Sequence, residues 1–182
     1  YPATDALLLI AAVSPGGRDF LVLIDPDSQP GKGVAADAAL VNGFTPKRWK
    51  ELGAVPIHQA MEWFRDWLHA EQSRQPWQGI VCHNVTHDRG FLLEAERMTG
   101  IELPVRYDWR CSMSEFQRQM DLGLITRGSG SLDRLGELSG FWKKEGGRES
   151  THDAMQDARA ALHGWEWLRE NAASAGVQWG VT

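Results

Sequence analysis

The sequence predicts one mixed α/β domain that spans residues 1–182. Two strand-sized apolar runs come first, helical periodicity follows, and further short apolar runs lie between the helical segments. This alternation is typical of a sheet with helices packed around it. With 182 residues and 42% hydrophobic content, the chain can bury one substantial core.

The first half of the chain is predicted to form a hairpin followed by helices. Residues 7–13 and 20–24 are apolar runs separated by a turn rich in Pro and Gly, which predicts an antiparallel hairpin. The Pro- and Gly-containing stretch 28–33 is predicted to be a loop. The helices predicted here are a short one at 35–40, a second at 46–52 with Thr45 as its N-cap and Pro46 first, and an amphipathic one at 57–70.

In the second half, strands and helices alternate. The predicted strands are residues 79–82 and 105–109, and the predicted helices are residues 91–98, 112–120, a segment opening after Ser131, and 151–170. Gly100 is the expected glycine cap of the first of these helices. Residues 123–130 and 143–150 are predicted to be flexible loops.

Charge and hydropathy exclude several classes of protein. The formal net charge is −5, which argues against a protein that coats nucleic acid passively. It is compatible with an enzyme that grips the end of a strand, since such an enzyme needs acidic metal ligands and only a local basic rim. The longest apolar run, residues 6–13, is far shorter than the ~20 residues of a membrane-spanning helix. No basic residue precedes it, as a secretion signal would require, so we expect a cytoplasmic protein.

The two cysteines, Cys82 and Cys111, are too few for a disulfide framework and lack CxxC spacing. Both lie in or beside apolar stretches. We therefore interpret them as small buried hydrophobic residues in a reducing compartment.

Three residues are candidates for chemistry. Asp88 follows a buried strand and lies at the start of a helix, where α/β sheets present ligand-binding groups. His152 and Asp157 lie five residues apart, or ~140° around a helix axis, so they do not share one helix face. Asp157 is expected to point inward toward a metal, and His152 to reach over from the less regular first turn.

Such residues suit phosphodiester hydrolysis. Two divalent ions about 3.5–4 Å apart can activate a water and stabilise the leaving oxygen. Carboxylate oxygens favour Mg²⁺ or Mn²⁺, and a nearby histidine can take the proton of the attacking water.

Two segments resemble motifs of a known family. Residues 82–92 (CHNVTHDRGFL) are similar to the second motif of the DEDDh 3′–5′ exonucleases, the family of the proofreading epsilon subunit, ribonuclease T and oligoribonuclease. Residues 152–158 (HDAMQDA) resemble the third motif. Residues 42–45 resemble the family's segment after the first hairpin, and residues 131–135 resemble its helix before the third motif. The resemblance covers nearly the whole chain in the family's order, and it implies a ribonuclease-H-like three-layer domain with one mixed β-sheet flanked by helices.

The resemblance also implies roles for individual residues. Asp88 and Asp157 would be ligands of two divalent ions, Mg²⁺ or Mn²⁺, and His152 would be the general base. Asn84 would shape the site near the terminal nucleotide at the 3′ end of single-stranded DNA or RNA. Phe91, close after Asp88, is the candidate for stacking on a base.

The chain departs from the family pattern in two places. His87 stands where an aromatic Phe or Tyr usually precedes the motif's Asp. The first motif, an Asp-x-Glu on a central strand, is expected before Tyr1, because residues 4–13 already resemble the family's second strand. We therefore expect the domain to lack its first strand, and this chain by itself to show little or no activity.

Other interpretations stay open. An inactive relative would bind strands or partner proteins without cleaving them. A zinc hydrolase would use His83 and His87, which are four residues apart as in HExxH helices, although Asn84 stands in the place of the glutamate. Asp25-Pro26-Asp27 imitates an Asp-x-Asp motif but is more typical of a turn after a strand. A homodimer and association with a larger nucleic-acid-processing complex are both compatible with the sequence.

A basic neighbourhood precedes the third motif. It forms either a solvated surface or the rim that meets phosphates, and we favour the rim. Its members are Arg127, Arg134, Lys143, Lys144 and Arg148.

Overall fold

The α/β class is confirmed by the structure, a computed structural model that describes residues 1–16, 18–76, 79–104, 108–146 and 153–177. The strands and helices of these residues are, in chain order, β1 (Leu9–Val13), β2 (Asp19–Leu23), α1 (Ala36–Asn42), α2 (Pro46–Glu51), α3 (Ile57–Arg74), β3 (Ile80–Cys82), α4 (Val85–Thr99), β4 (Trp109–Cys111), α5 (Ser112–Asp121), α6 (Leu132–Leu138), α7 (Phe141–Lys144) and α8 (Ala154–Ser174). Among the described helices, none has the length and hydropathy that crossing a bilayer requires.

The strands form two separate pairs. β1 runs antiparallel to β2, with Leu9 opposite Leu23, as the hairpin prediction required. β3 runs parallel to β4, with Cys82 opposite Cys111. The prediction of one mixed sheet therefore differs from the structure, because within the described residues no ladder joins the two pairs. Helix α8 packs against both β1 and β3 and so links the pairs through side chains.

The main core lies between the hairpin and α3. Ile10, Val22 and Ile24 of the hairpin segment pack with Met61 and Phe64 of α3, and all five are buried. Burying one such side chain contributes about 1.5–3 kcal/mol, so the apolar face of α3 explains why this helix forms here. The helix runs four residues past its predicted end, where the buried Glu71 is ion-paired with Arg18 and Arg74.

A second core joins α5, α6 and α8. Phe116, Leu135 and Leu168 are fully buried there. Gly164 of α8 allows the close approach of α6, since a Cβ at this position would lie 2.6 Å from Cδ2 of Leu135. Gln119 of α5 is also buried, and its Nε2 donates a hydrogen bond to the Leu168 carbonyl at 2.8 Å.

Several helix ends follow local sequence rules. The Thr45 hydroxyl accepts a hydrogen bond from the backbone N–H of Arg48, and Ser131 caps α6 in the same way through Arg134. Gly100 ends α4 in the left-handed conformation at φ 72°, as predicted.

Other boundaries differ from the prediction. α4 begins six residues earlier than predicted, because its first turn is built on the carbonyl of Asn84 rather than on apolar periodicity. β4 includes Trp109 and continues to Cys111, while residues 105–107 of the predicted strand lie outside the described residues. α7 replaces the start of a predicted loop, because Phe141 and Trp142 pack against Ala160 of α8. The long last helix begins at Ala154.

The amino group of Lys32 ties the N-terminal segment to α4. Its Nζ donates to the carbonyls of Pro2 and Ala3 at 2.7 Å and pairs with Glu94 of α4 at 2.6 Å. The Lys32 side chain is only 4% exposed. Hydrogen bonds from Arg97 and Lys32 lower the pKa of Glu94 to about 2, so the carboxylate of this ion pair is charged.

Candidate functional site

Asn84 and Asp88, two of the polar residues singled out in the sequence, lie where β3 ends and α4 begins. β3 ends at Cys82 and leads into α4, and β4 ends at Cys111 and leads into α5. Because the two strands are parallel, their carboxyl ends and the two helix N-termini meet at one edge. Helix N-termini carry partial positive charge, so this edge favours anionic groups.

Asp88 lies in the first turn of α4, beside Cys82. Asp88 as a whole residue is exposed, yet the protein around its carboxyl group partly desolvates that group and so raises its pKa. A hydrogen bond from the Cys82 thiol and the nearby His87 offset the effect only in part. The site therefore holds a carboxylate whose negative charge is incompletely compensated.

The Cys82 thiol is the partner of this carboxylate. Burial, the negative charge of Asp88 and their hydrogen bond together raise the pKa of Cys82. The thiol therefore stays protonated at neutral pH and acts as a hydrogen-bond donor to Asp88.

His83 bridges three segments of the chain. Its Nε2 lies 2.9 Å from the carbonyl oxygen of Gly130, and its Nδ1 lies 3.0 Å from the hydroxyl of Ser112. A carbonyl can only accept, so Nε2 carries the hydrogen and Nδ1 accepts from Ser112. Burial lowers the pKa of His83, which agrees with a neutral ring, although the Gly130 carbonyl opposes this shift. A zinc ion could bind either ring nitrogen only after one of these hydrogen bonds had broken.

A cleft of about 1040 Å³ opens beside His83. Asn84 at the start of α4, Gln117 and Arg118 of α5, and Ser131 at the start of α6 contribute to its lining. Arg118 is ion-paired with Glu115 at 2.6 Å, which reduces the positive charge it offers to a ligand. The cleft thus places Asn84, the predicted substrate contact, beside a space large enough for a small-molecule ligand.

Phe91, the predicted stacking residue, is not part of the cleft lining in the described residues. Its ring packs at 5.0 Å from the ring of His87, one turn earlier on the same face of α4. Phe91 is partly buried, so its contact with a base stays a prediction.

Asp157 lies in the first turn of α8 and is partly buried. The turn is capped by Asp153, whose carboxylate accepts hydrogen bonds from the N–H groups of Met155 and Gln156 at 2.9 Å. α8 packs against β3, as α4 does, so Asp88 and Asp157 both begin helices that contact the same strand. His152, the predicted general base, lies outside the described residues. Within the described ranges, no group of three or more His, Cys, Asp and Glu side chains is arranged to hold a metal ion.

The Asp25-Pro26-Asp27 motif forms a turn. The Asp25 carboxylate accepts a hydrogen bond from the N–H of Asp27 at 3.0 Å and caps a 3-10 turn, Pro26–Ser28. This is the structural role that the Pro-containing segment after a strand suggested.

Arg134 of the basic neighbourhood is used inside the protein. Its guanidinium donates to the carbonyls of Thr126 and Ser129 and lies 5.5 Å from the centre of the Phe116 ring. It therefore holds the loop before α6, while Arg127 is exposed. Arg148 and the side chain of Lys144 lie outside the described part of the structure.

Sequence reasoning missed the surroundings of Cys111. Its Sγ accepts a hydrogen bond from the N–H of Ser114 at 3.5 Å and lies 3.5 Å from the carbonyl of His83. Burial raises the Cys111 pKa, but hydrogen bonds from the Ser114 hydroxyl and from the N–H groups of Val85, Ser114 and Met113 outweigh this effect and lower it. The signal in the sequence was the shared position of both cysteines, each at or just after a predicted strand and before a predicted helix.

No protein-family model matches the sequence of this chain, and no curated protein matches it either. The function of the chain is therefore inferred from the geometry of the site and from the motifs.

Proposed function

We propose that this chain is the greater part of a ribonuclease-H-like exonuclease domain, which in the intact gene product removes nucleotides from the 3′ ends of single-stranded DNA or RNA. The observation that carries the proposal is the environment of Asp88, a desolvated carboxylate where a strand ends and a helix begins. The raised pKa of its carboxyl group means that the negative charge lacks full compensation. A divalent cation would supply that compensation.

Asp88 and Asp157 would hold the metal. Each lies in the first turn of a helix that packs on β3, and each offers the hard oxygen atoms that Mg²⁺ and Mn²⁺ prefer. When bound, two such ions supply an activated water and neutralise the phosphate. His152, five residues before Asp157, would take the proton of that water.

The cleft beside Asn84 would hold the terminal nucleotide. The Asn84 amide offers both donors and an acceptor for a base or sugar. Gln117 and Ser131 add further polar groups to the lining of the cleft. Exonuclease action requires a site that receives a strand end, and an open cleft lined by Asn84, at the start of the helix that carries Asp88, fits this requirement.

The assay uses the intact gene product and 3′-labelled single-stranded DNA and RNA, with Mg²⁺, Mn²⁺ or EDTA. We expect release of mononucleotides with either metal, no release in EDTA, and loss of at least about a hundredfold in Asp88→Asn and Asp157→Asn. Asp66→Asn is the matched control, because Asp66 lies exposed on α3 and pairs with its neighbour Arg65.

Cleavage that persists in both Asp88→Asn and Asp157→Asn would overturn the proposal. Strand binding without cleavage, in the intact gene product with either metal, would instead indicate an inactive relative of the nuclease class. Comparing the DNA and RNA substrates in the same assay also identifies the preferred nucleic acid.

A further inference from the structure

The two cysteines are neighbours in space, although 29 positions separate them in the chain. Cys82 and Cys111 are register partners in the parallel ladder of β3 and β4. Adjacent strands lie about 4.8 Å apart, and register partners point to the same face of the sheet. Disulfides join residues whose Cα atoms are about 4.4–6.8 Å apart, so a bridge here needs little movement of the backbone. Both cysteines are free and partly accessible to solvent.

The two sulfur atoms have different surroundings. Cys111 is the N-cap of α5, and its sulfur accepts a hydrogen bond from the N–H of Ser114. Hydrogen-bond donors and a helix N-terminus both stabilise a thiolate, in line with the lowered pKa of this thiol. Cys82 instead ends β3 two residues before Asn84, the N-cap of α4, so it does not itself cap a helix. Cys111 is therefore the better nucleophile of the pair.

We infer that Cys111 and Cys82 form a peroxide-sensitive pair, in which Cys111 reacts first and Cys82 closes a disulfide. The Cys111 thiolate attacks one oxygen of hydrogen peroxide, the O–O bond breaks, and hydroxide leaves and is protonated to water. Cys82 then attacks the sulfenic sulfur of Cys111. The S–O bond breaks, and hydroxide leaves with the proton of Cys82 as a second water. Two thiols are oxidised to one disulfide, and one peroxide is reduced to two waters.

The bridge would change the surroundings of Asp88. The Cys82 thiol that donates to this carboxylate would no longer carry a hydrogen. Oxidation would thus act on the residue that carries the proposed function. The disulfide itself depends only on the strand pairing, so its test does not depend on nuclease activity.

The test treats the reduced, desalted protein with a small excess of hydrogen peroxide and follows it by intact mass and by peptide mapping without reductant. We expect the mass to fall by two hydrogen atoms, both thiols to become unreactive toward maleimide, and the peptides of Cys82 and Cys111 to be joined. Dithiothreitol is expected to restore both thiols. In Cys82→Ser, dimedone should trap a sulfenic acid on Cys111.

Cys111→Ser is the matched variant, and its Cys82 should react with peroxide about tenfold or more slowly than Cys111 does in Cys82→Ser. The inference is overturned if peroxide-treated wild-type protein keeps both thiols open to maleimide, or if the joined peptides come from two molecules. Equal reaction rates of the two single variants would overturn the assigned order of attack. The wild-type peptide map answers the main question even where a variant folds poorly.

Discussion

Nε2 of His83 lies 2.9 Å from the carbonyl oxygen of Gly130, a residue 47 positions further along the chain. His83 connects β3 to α4, and Gly130 ends the loop that Arg134 holds from the start of α6. Both residues line the cleft. This hydrogen bond therefore fixes two walls of the cleft relative to each other, and its strength depends on the protonation of one imidazole ring.

The His83 ring makes the stability of the protein depend on pH. Burial lowers its pKa in the folded state below the ordinary value of ~6.5. Its contribution to the free energy of unfolding is thus complete above about pH 6.5 and is lost as the pH falls toward the folded-state pKa, because the unfolded chain binds the proton more readily. Urea denaturation over this pH range should show a steeper loss for the wild type than for His83→Gln. Parallel curves for the two proteins would contradict the expectation.

Replacing Asp88 separates metal binding from folding. With Mn²⁺ at about ten times its dissociation constant, ligand linkage stabilises the folded state by about 1.4 kcal/mol, or about 3–6 °C in Tm. We expect this shift in the wild type and in Asp66→Asn, and its loss in Asp88→Asn or after addition of EDTA. The raised pKa of Asp88 means that its charge opposes folding once the pH exceeds that pKa, so metal-free Asp88→Asn should be at least as stable at neutral pH. An undiminished Mn²⁺ shift in Asp88→Asn would exclude this residue as a ligand.

Replacing Gly164 by alanine, the residue with the smallest side chain, is expected to destabilise the protein. Alanine favours a helix over glycine by about 1 kcal/mol, yet its Cβ would lie 2.6 Å from Cδ2 and 2.7 Å from Cγ of the fully buried Leu135. Since overpacking costs about 1–3 kcal/mol, we expect Gly164→Ala to lower the free energy of unfolding by about 1–2 kcal/mol. In a double-mutant cycle with Leu135→Ala, the combined loss should be smaller than the sum. Additive losses would show that the contact is not responsible.

The buried amide of Gln119 joins α5 to α8. It donates to Glu115 and to the Leu168 carbonyl, and it accepts a hydrogen bond from Asn171 at 2.8 Å. We expect Gln119→Leu to lower the free energy of unfolding by about 1–3 kcal/mol, because partners are left unsatisfied. The same change at the exposed Gln117, on the same helix, is expected to stay within about 0.5 kcal/mol of the wild type. Equal losses at the two positions in chemical denaturation would argue against the buried network.

The parts of the fold that follow from neighbouring residues were predictable. The hairpin, the amphipathic face of α3 and the hydroxyl caps Thr45 and Ser131 depend on patterns within a few positions, and the structure confirms them. The division into two strand pairs and the helix α7 depend on contacts between distant segments. Phe141, for example, forms a helix because it meets α8, which local sequence does not reveal.

The same distinction applies to the site. Asp88 and Asp157 were expected at helix starts, and both lie in first turns, since a short apolar strand and helical periodicity mark these positions. Their roles as metal ligands stay predictions. The pairing of Cys82 with Cys111 was not predictable, because the sequence of neither strand alone determines the register between β3 and β4. For the same reason, the sequence alone leaves His83 open as a zinc ligand, whereas in the structure both its ring nitrogens have hydrogen-bond partners.

The buried amino group of Lys32 provides a chemical reporter of motion in the N-terminal segment. Amine-reactive reagents modify lysines whose nitrogen reaches solvent, and this nitrogen is enclosed by Pro2, Ala3 and Glu94. Labelling of Lys32 therefore requires the segment to detach from α4, whereas the exposed Lys47 reacts without such an event. The ratio of the Lys32 labelling rate to the Lys47 labelling rate measures how often the N-terminal segment detaches from α4, the helix whose first turn contains Asp88.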